Sequence, residues 1–427
     1  MEKMNFAKVT ILSGVVTCFR LICGLLISKV VAIYTGPAGI ANLGQLQNFV
    51  TFVNGFISSQ VSQGVNRYSA ENKSDYDKAQ PYWRASIKLS IIACCFIITV
   101  GVLFSGNISN LLFQSKELYW LIIVALMVLP LNIINNLFLG VLNGLGEYNR
   151  FFLANVLAIA AALLSMTALV YFMGLKGALL AAALNNAIAG ILLLTIIIKR
   201  PWFRLVYWLG QVPKHHLSEM RKYFLMGVIG ALTGPISLIV VRTILTNNFS
   251  IEDAGNWQAV SKISEAYLAV LTTALTVYYF PKTAAAKTFK DYISVLKSGV
   301  VIVIPLAFVM AISIFLLKDL IISILFTKDF STAKSLFLFQ NIGDFLRISS
   351  WLFATILLAK GYFKINAVLE ISFSILFPLL VKFLIVPFGL EGVSISYCIT
   401  YSFYLIATMI IYLWHMKRVI SNEIASK

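Results

Sequence analysis

Apolar runs of roughly 20 residues, each long enough to cross about 30 Å of hydrocarbon, recur along nearly all of the 427-residue chain. Polar residues gather in the short segments between them. The pattern predicts an all-α integral membrane protein with twelve transmembrane helices, over 9–33, 40–65, 86–105, 118–142, 151–173, 177–198, 223–246, 257–281, 293–317, 334–359, 365–386 and 391–416. In the second span Gln45, Asn48, Thr51, Ser59, Ser62, Gln63 and Asn66 fall within about a third of the helix circumference. A polar stripe of that length lines water or another polar surface; the plainer alternative is interhelical hydrogen bonding.

Composition agrees with the pattern. With 59% hydrophobic and 12% charged residues, a soluble globular domain is excluded. The first span follows a basic start, MEKMNFAK, but runs for about 25 residues without a small-residue cleavage site, so it is expected to be retained. The net charge of +17 raises nucleic acid as a partner until the 34 Lys and Arg are sorted by position. With a cytoplasmic N-terminus, 23 fall in cytoplasmic segments, 5 on the opposite side (Lys116, Lys176, Lys318, Lys328 and Lys334) and 6 inside spans. This asymmetry is the positive-inside pattern. It places both termini in the cytoplasm and leaves nucleic acid no role. Cysteine tags at Ser74 and Thr288 are then expected to be shielded in intact cells, and one at Ser331 labelled.

Candidate catalytic chemistry is sparse. Cys18, Cys23, Cys94, Cys95 and Cys398 sit in apolar spans and read as small core residues. His215, His216 and His415 lie at membrane edges and are too few for a metal site. No phosphate-binding glycine loop or nucleophile motif is present, and the loops leave no room for an extramembrane catalytic domain. The expectation is a transporter without a cofactor, not an enzyme.

The chain also repeats itself. Gly174-Leu175-Lys176-Gly177 is echoed by Gly389-Leu390-Glu391-Gly392, and Leu145-Gly146 by Lys360-Gly361, both at an offset of 215. Ala38-Gly39 and Ala254-Gly255 are 216 apart. Six spans separate the copies, which predicts two pseudo-symmetric six-helix lobes related by an axis along the membrane normal, around a central cavity. The lobes are expected over 1–200 and 223–427. A basic, tryptophan-rich linker joins them over 201–222, with Trp202, Phe203, Val206 and Leu209 on one apolar side lying in the cytoplasmic interface.

Nine charges lie inside the spans: Arg20, Lys29, Arg242, Lys262, Arg347 and Lys382 against Glu265, Asp344 and Glu370. Each costs about 2.5–3.5 kcal/mol near a helix centre, so they cannot all face lipid. Lys29, Arg242 and Lys382 are near span ends and have the alternative of snorkelling, whereas Arg20 and Arg347 sit near mid-span. Asp344 and Arg347, and Lys262 and Glu265, are i, i+3 pairs on one helix face. The surplus of three positive charges suits an anionic substrate.

Three segments carry a family resemblance: GPAGI at Gly36–Ile40, AGNWQAVSKISEAYL at Ala254–Leu268, and GDFLR at Gly343–Arg347. They resemble the Wzx-type flippases for lipid-linked oligosaccharides, which include O-antigen translocases and enterobacterial common antigen flippases, in the polysaccharide-transport branch of the MOP superfamily. The resemblance implies a MATE-like MOP fold and a substrate of undecaprenyl-pyrophosphate-linked oligosaccharide. It implies movement from the cytoplasmic to the periplasmic leaflet of the bacterial inner membrane, with membrane lipids and glycan polymerase machinery as further partners. By position it assigns substrate binding to Arg20, Lys29, Arg242 and Arg347. Lys262, a further candidate for substrate binding, stands within the most specific motif, where the family has a small residue. Gln45 and Asn48 are expected to meet the sugars. Glu265, Asp344 and Glu370 are candidates for ion pairing or for proton or sodium coupling. A MATE-like exporter of drugs or cations, which favours an acidic cavity, and a membrane-embedded glycan polymerase or ligase, which needs a sizeable external loop, are the alternatives.

Overall fold

The computed structural model describes residues 6–73, 75–275, 279–286 and 288–425. Ser74 and three of the counted cations, Lys3, Lys287 and Lys427, lie outside them. The described residues are helical throughout, with no strand. Contacts divide the chain into two compact units, the first ending at Ile239 and the second beginning at Val240.

The first unit contains α1 (Phe6–Asn54), α2 (Gln60–Glu71), α3 (Tyr76–Leu103), α4 (Ser105–Phe113), α5 (Tyr119–Met127), α6 (Leu129–Gly144), α7 (Tyr148–Ile197), the single turn α8 (Leu205–Trp208) and most of α9 (Lys214–Asn248). The second contains the end of α9, then α10 (Ile251–Ala274), α11 (Phe280–Ala285), α12 (Phe289–Leu316), α13 (Lys318–Leu325), α14 (Ala333–Ala359), α15 (Phe363–Phe388) and α16 (Gly392–Ala425). Among the described residues six helical runs are long and apolar enough to cross a bilayer, or seven if α5 and α6, bent by 41°, form one span. Three of these runs are 48, 50 and 58 residues long, more than twice what one crossing needs. They are broken at Gly36, Gly174 and Gly389, the positions where the hydropathy pattern places turns between successive spans. Helices α10 and α14 fall outside the set, and they carry Lys262, Glu265, Asp344 and Arg347.

The backbone preserves the repeat seen in the sequence. Gly146 and Gly361 have φ of 76° and 73°, and Gly174 and Gly389 have φ of 54° and 57°, each pair 215 residues apart. A side chain at such φ values clashes with its own carbonyl, so glycine is what lets the chain reverse there.

Packing in the first unit relies on small residues. Gly140 and Gly144, one turn apart on α6, let α2 approach closely. A Cβ at either would sit 2.6 Å from the Ser62 carbonyl oxygen or 2.4 Å from that of Asn66, the small-xxx-small logic of membrane helices. Beside it runs a ladder in which Asn132 donates to Asn54 Oδ1 at 3.1 Å and Asn136 to Ser58 Oγ at 2.7 Å.

The segment 201–222 is built differently from the interfacial helix expected. The helix that follows Pro201, α8, is one turn, and Trp202 and Trp208 are buried in the first unit's core, Trp208 stacked on Trp83 with ring centroids 5.1 Å apart. The exposed apolar residues are Leu205, Val206 and Leu209. A buried acid explains the docking: Glu147, with its side chain 1% exposed, accepts from Arg200 at 2.7 Å, Arg150 at 3.1 Å and the Trp202 indole N–H at 3.0 Å. Where α2 meets the start of α9, Tyr68 donates to Glu219 at 3.3 Å. Burial, helped by the nearby Glu219 charge, pushes the Tyr68 hydroxyl up to about 12.

Candidate functional site

The second unit gathers three of its intramembrane charges, Asp344, Arg347 and Glu370, into one connected network. Asp344 of α14, fully buried, accepts hydrogen bonds from the Tyr267 hydroxyl of α10 at 2.7 Å and the Tyr397 hydroxyl of α16 at 2.9 Å. The same Tyr397 hydroxyl accepts from Arg347 Nη1 at 3.2 Å. Among the described residues Asp344 and Arg347 make no direct ion pair within 4 Å; the i, i+3 pair is bridged through a phenol. The Arg347 guanidinium also lies 5.4 Å from the Tyr401 ring centroid and 5.6 Å from that of Trp351, within cation–π range. From Tyr401 the aromatic series continues to Tyr404, 6.1 Å away between centroids, whose hydroxyl donates to Glu370 at 3.3 Å. Four helices thus hold an acid, a guanidinium and a second acid in order, joined by tyrosines.

These tyrosines were missed by the sequence reading, although their spacing signals them. Tyr397, Tyr401 and Tyr404 recur at i, i+4 and i+7 on α16, one face of a helix. Buried hydroxyls in lipid need partners, so a tyrosine stripe opposite a helix with two charges is a legible pattern.

Arg242 is fixed separately. It is 1% exposed, its guanidinium donates to the Gln258 side-chain carbonyl, and it lies 5.6 Å from the Trp257 ring centroid. The Trp-Gln of the family-like motif therefore serves an arginine on the preceding helix, and Arg242 does not snorkel to an interface. Lys262 is half-buried and Glu265 exposed, and among the described residues they form no ion pair within 4 Å.

In the first unit Arg20 is exposed and donates to the Asn155 side-chain carbonyl of α7 at 3.0 Å. Lys29 is exposed. Gln45 is buried and reaches the Ile239 carbonyl at 3.5 Å, while Asn48 is half-buried. The span-two stripe is thereby divided between uses. Ser62 and Asn66 lie against the glycines of α6, and Gln63 is exposed.

A family model described as polysaccharide biosynthesis protein matches residues 6–286. The chain belongs to this family. Within the polysaccharide biosynthesis family, relatives named Lipid III flippase from Escherichia coli (strain K12) and Shigella flexneri are each 25% identical over 401 residues, covering 94% of this chain and 96% of theirs. Among solved structures, an inward-facing multidrug resistance MATE family transporter of the MOP superfamily superposes with a TM-score of 0.79 at 15% identity, over 95% of this chain and 99% of that one. A MOP superfamily transporter from Pyrococcus furiosus, described as having a binding pocket of reversed polarity, gives 0.69 at 16% identity over 96% of each chain. The fold of this family member is thus the MOP transporter fold. It is a multi-pass membrane architecture.

Proposed function

We propose that the protein is a flippase that moves an undecaprenyl-pyrophosphate-linked oligosaccharide from the cytoplasmic to the periplasmic leaflet of the bacterial inner membrane by alternating access. The observation that carries this is the full-length likeness to relatives named Lipid III flippase. In this reading the chain crosses twelve times with both termini cytoplasmic, as the distribution of lysine and arginine favours, and its lobes and linker follow the sequence-based boundaries.

The chemistry of the two mid-helix arginines supports an anionic headgroup. A guanidinium has five N–H donors in a fork that matches phosphate oxygens. The contacts described above use one donor nitrogen of Arg20, toward Asn155, and one of Arg347, toward Tyr397. The rest remain for a pyrophosphate, which cannot cross hydrocarbon alone and is attracted far more strongly at low dielectric than in bulk water. Lys29, Arg242 and Lys262 supply further positive potential in this scheme, and Glu265, Asp344 or Glu370 carries a coupling proton or sodium ion. Membrane lipids and the downstream glycan polymerase machinery are its neighbours.

Purified protein in proteoliposomes with a fluorescent lipid-linked glycan tests the reading. Time-dependent inaccessibility of the probe to an external quencher, with no lengthening of the glycan, is the expected result. Export of organic cations instead points to a MATE-like exporter, and glycan elongation to a polymerase or ligase; either overturns it.

A further inference from the structure

A cavity of about 290 Å³ opens in the second unit beside the Arg347 network, separate from the Asp344 carboxylate. Two helices supply its polar chemistry, each with an i, i+4 pair: Trp351 and Thr355 on α14, and Asn366 and Glu370 on α15. Phe280 of α11 and Tyr404 of α16, with the apolar Leu275 and Ala354, complete the wall. Glu370 is seven residues into α15, about 10 Å along the axis, yet among the described residues it has no ion-pair partner. Among the described residues its one hydrogen bond comes from the Tyr404 hydroxyl at 3.3 Å. A carboxylate at that depth without a cation is costly, and the cost falls when a ligand brings several donors to it.

Building on the flippase reading, we propose that this cavity is a sugar subsite that takes one uncharged ring of the lipid-linked glycan. A carboxylate accepts from two neighbouring hydroxyls at once, and the Asn366 amide both donates and accepts. The indole of Trp351 and the ring of Phe280 offer flat apolar faces to the C–H side of a pyranose, whose slight positive charge suits the negative ring face. The volume lies just below the roughly 300–1,000 Å³ typical of ligand pockets, which fits a single ring rather than a whole repeat unit. A bare hard cation needs a close shell of oxygen ligands, and a wall that is largely apolar and aromatic does not provide it. While ionised, Glu370 rejects an acidic sugar by like-charge repulsion. Sugar capture thus falls to the second unit, on α14 and α15, rather than to the amide stripe of span two.

The test uses full-length Thr355→Cys in proteoliposomes, with alkylation at position 355 by an uncharged maleimide read by peptide mass spectrometry. Undecaprenyl pyrophosphate bearing one neutral hexose is expected to slow modification. Undecaprenyl pyrophosphate alone, the same lipid bearing a hexuronic acid, and sodium chloride in place of choline chloride are expected to leave the rate unchanged. Glu370→Gln should raise the concentration of neutral glycolipid needed for half protection about tenfold, equivalent to about 1.4 kcal/mol, and Trp351→Leu, an independent variant, should do likewise. Equal protection by the sugar-free lipid, protection by sodium alone, or protection by the neutral glycolipid that neither variant weakens overturns the subsite. Flipping by the wild-type protein is measured in matched vesicles, so a wild type that flips glycan while Thr355→Cys shows no sugar-dependent protection refutes the subsite and leaves the flippase reading standing. A wild type that does not flip refutes both.

Discussion

Arg347 is positioned by a tyrosine hydroxyl rather than by the acid three residues before it, and this changes what substitutions should do. Tyr397→Phe removes one donor to the buried Asp344 and one acceptor from Arg347 together. Losing a hydrogen bond to a buried charge costs about 1–3 kcal/mol, so the variant should lower the melting temperature in detergent and reduce glycan flipping even though no charge is altered. An unchanged melting temperature would show that the phenol does not hold the network. Arg20 presents a different case, because it is exposed and tied to Asn155 alone among the contacts described. Arg20→Ala should strongly reduce flipping while leaving insertion near normal, and Arg20→Lys should recover part of it, since lysine keeps the charge but not the fork. Parental flipping by a well-inserted alanine variant would remove Arg20 from the anion site. The sequence showed these charges as costly and therefore useful; it did not show who satisfies them, because partners on α10 and α16 are set by packing rather than by spacing within α14.

At the level of elements, the contact between α2 and α6 is the most exposed to a single change. Both glycines of Gly140-Val141-Leu142-Asn143-Gly144 face main-chain oxygens at distances no Cβ tolerates, so Gly144→Leu should prevent the first unit from packing. Loss of folded protein in detergent, seen by size-exclusion chromatography, is the expected result, whereas Leu at Gly14, which meets nothing within 4 Å, should be harmless. Hydropathy alone located the long helices and the turns at Gly36, Gly174 and Gly389, because burial in lipid writes itself into every residue of a span. It misjudged the segment 201–222, whose tryptophans looked like interfacial anchors. The deciding partner, Glu147, lies 53 residues from Arg200 and 55 from Trp202, and no local period registers a contact that distant.

Over the whole molecule, glycine reversals recur in pairs 215 residues apart, and the two compact units differ in their polar content. The first spends amides on an interhelical ladder, and the second spends tyrosines on a charge relay. The proposed orientation is open to direct labelling: a cysteine at Thr288 should resist an impermeant thiol reagent in intact cells and one at Ser331 should react, and the reverse pattern would invert the topology. The Glu147 anchor also bears on how such a chain is made. As the polypeptide leaves the ribosome, Arg150 follows Glu147 within one helical turn, but Arg200 and Trp202 arrive only after the whole of α7 has been synthesised. A buried carboxylate stripped of a partner destabilises its surroundings by about 3–5 kcal/mol, so the first unit stays incompletely latched until translation has passed α7.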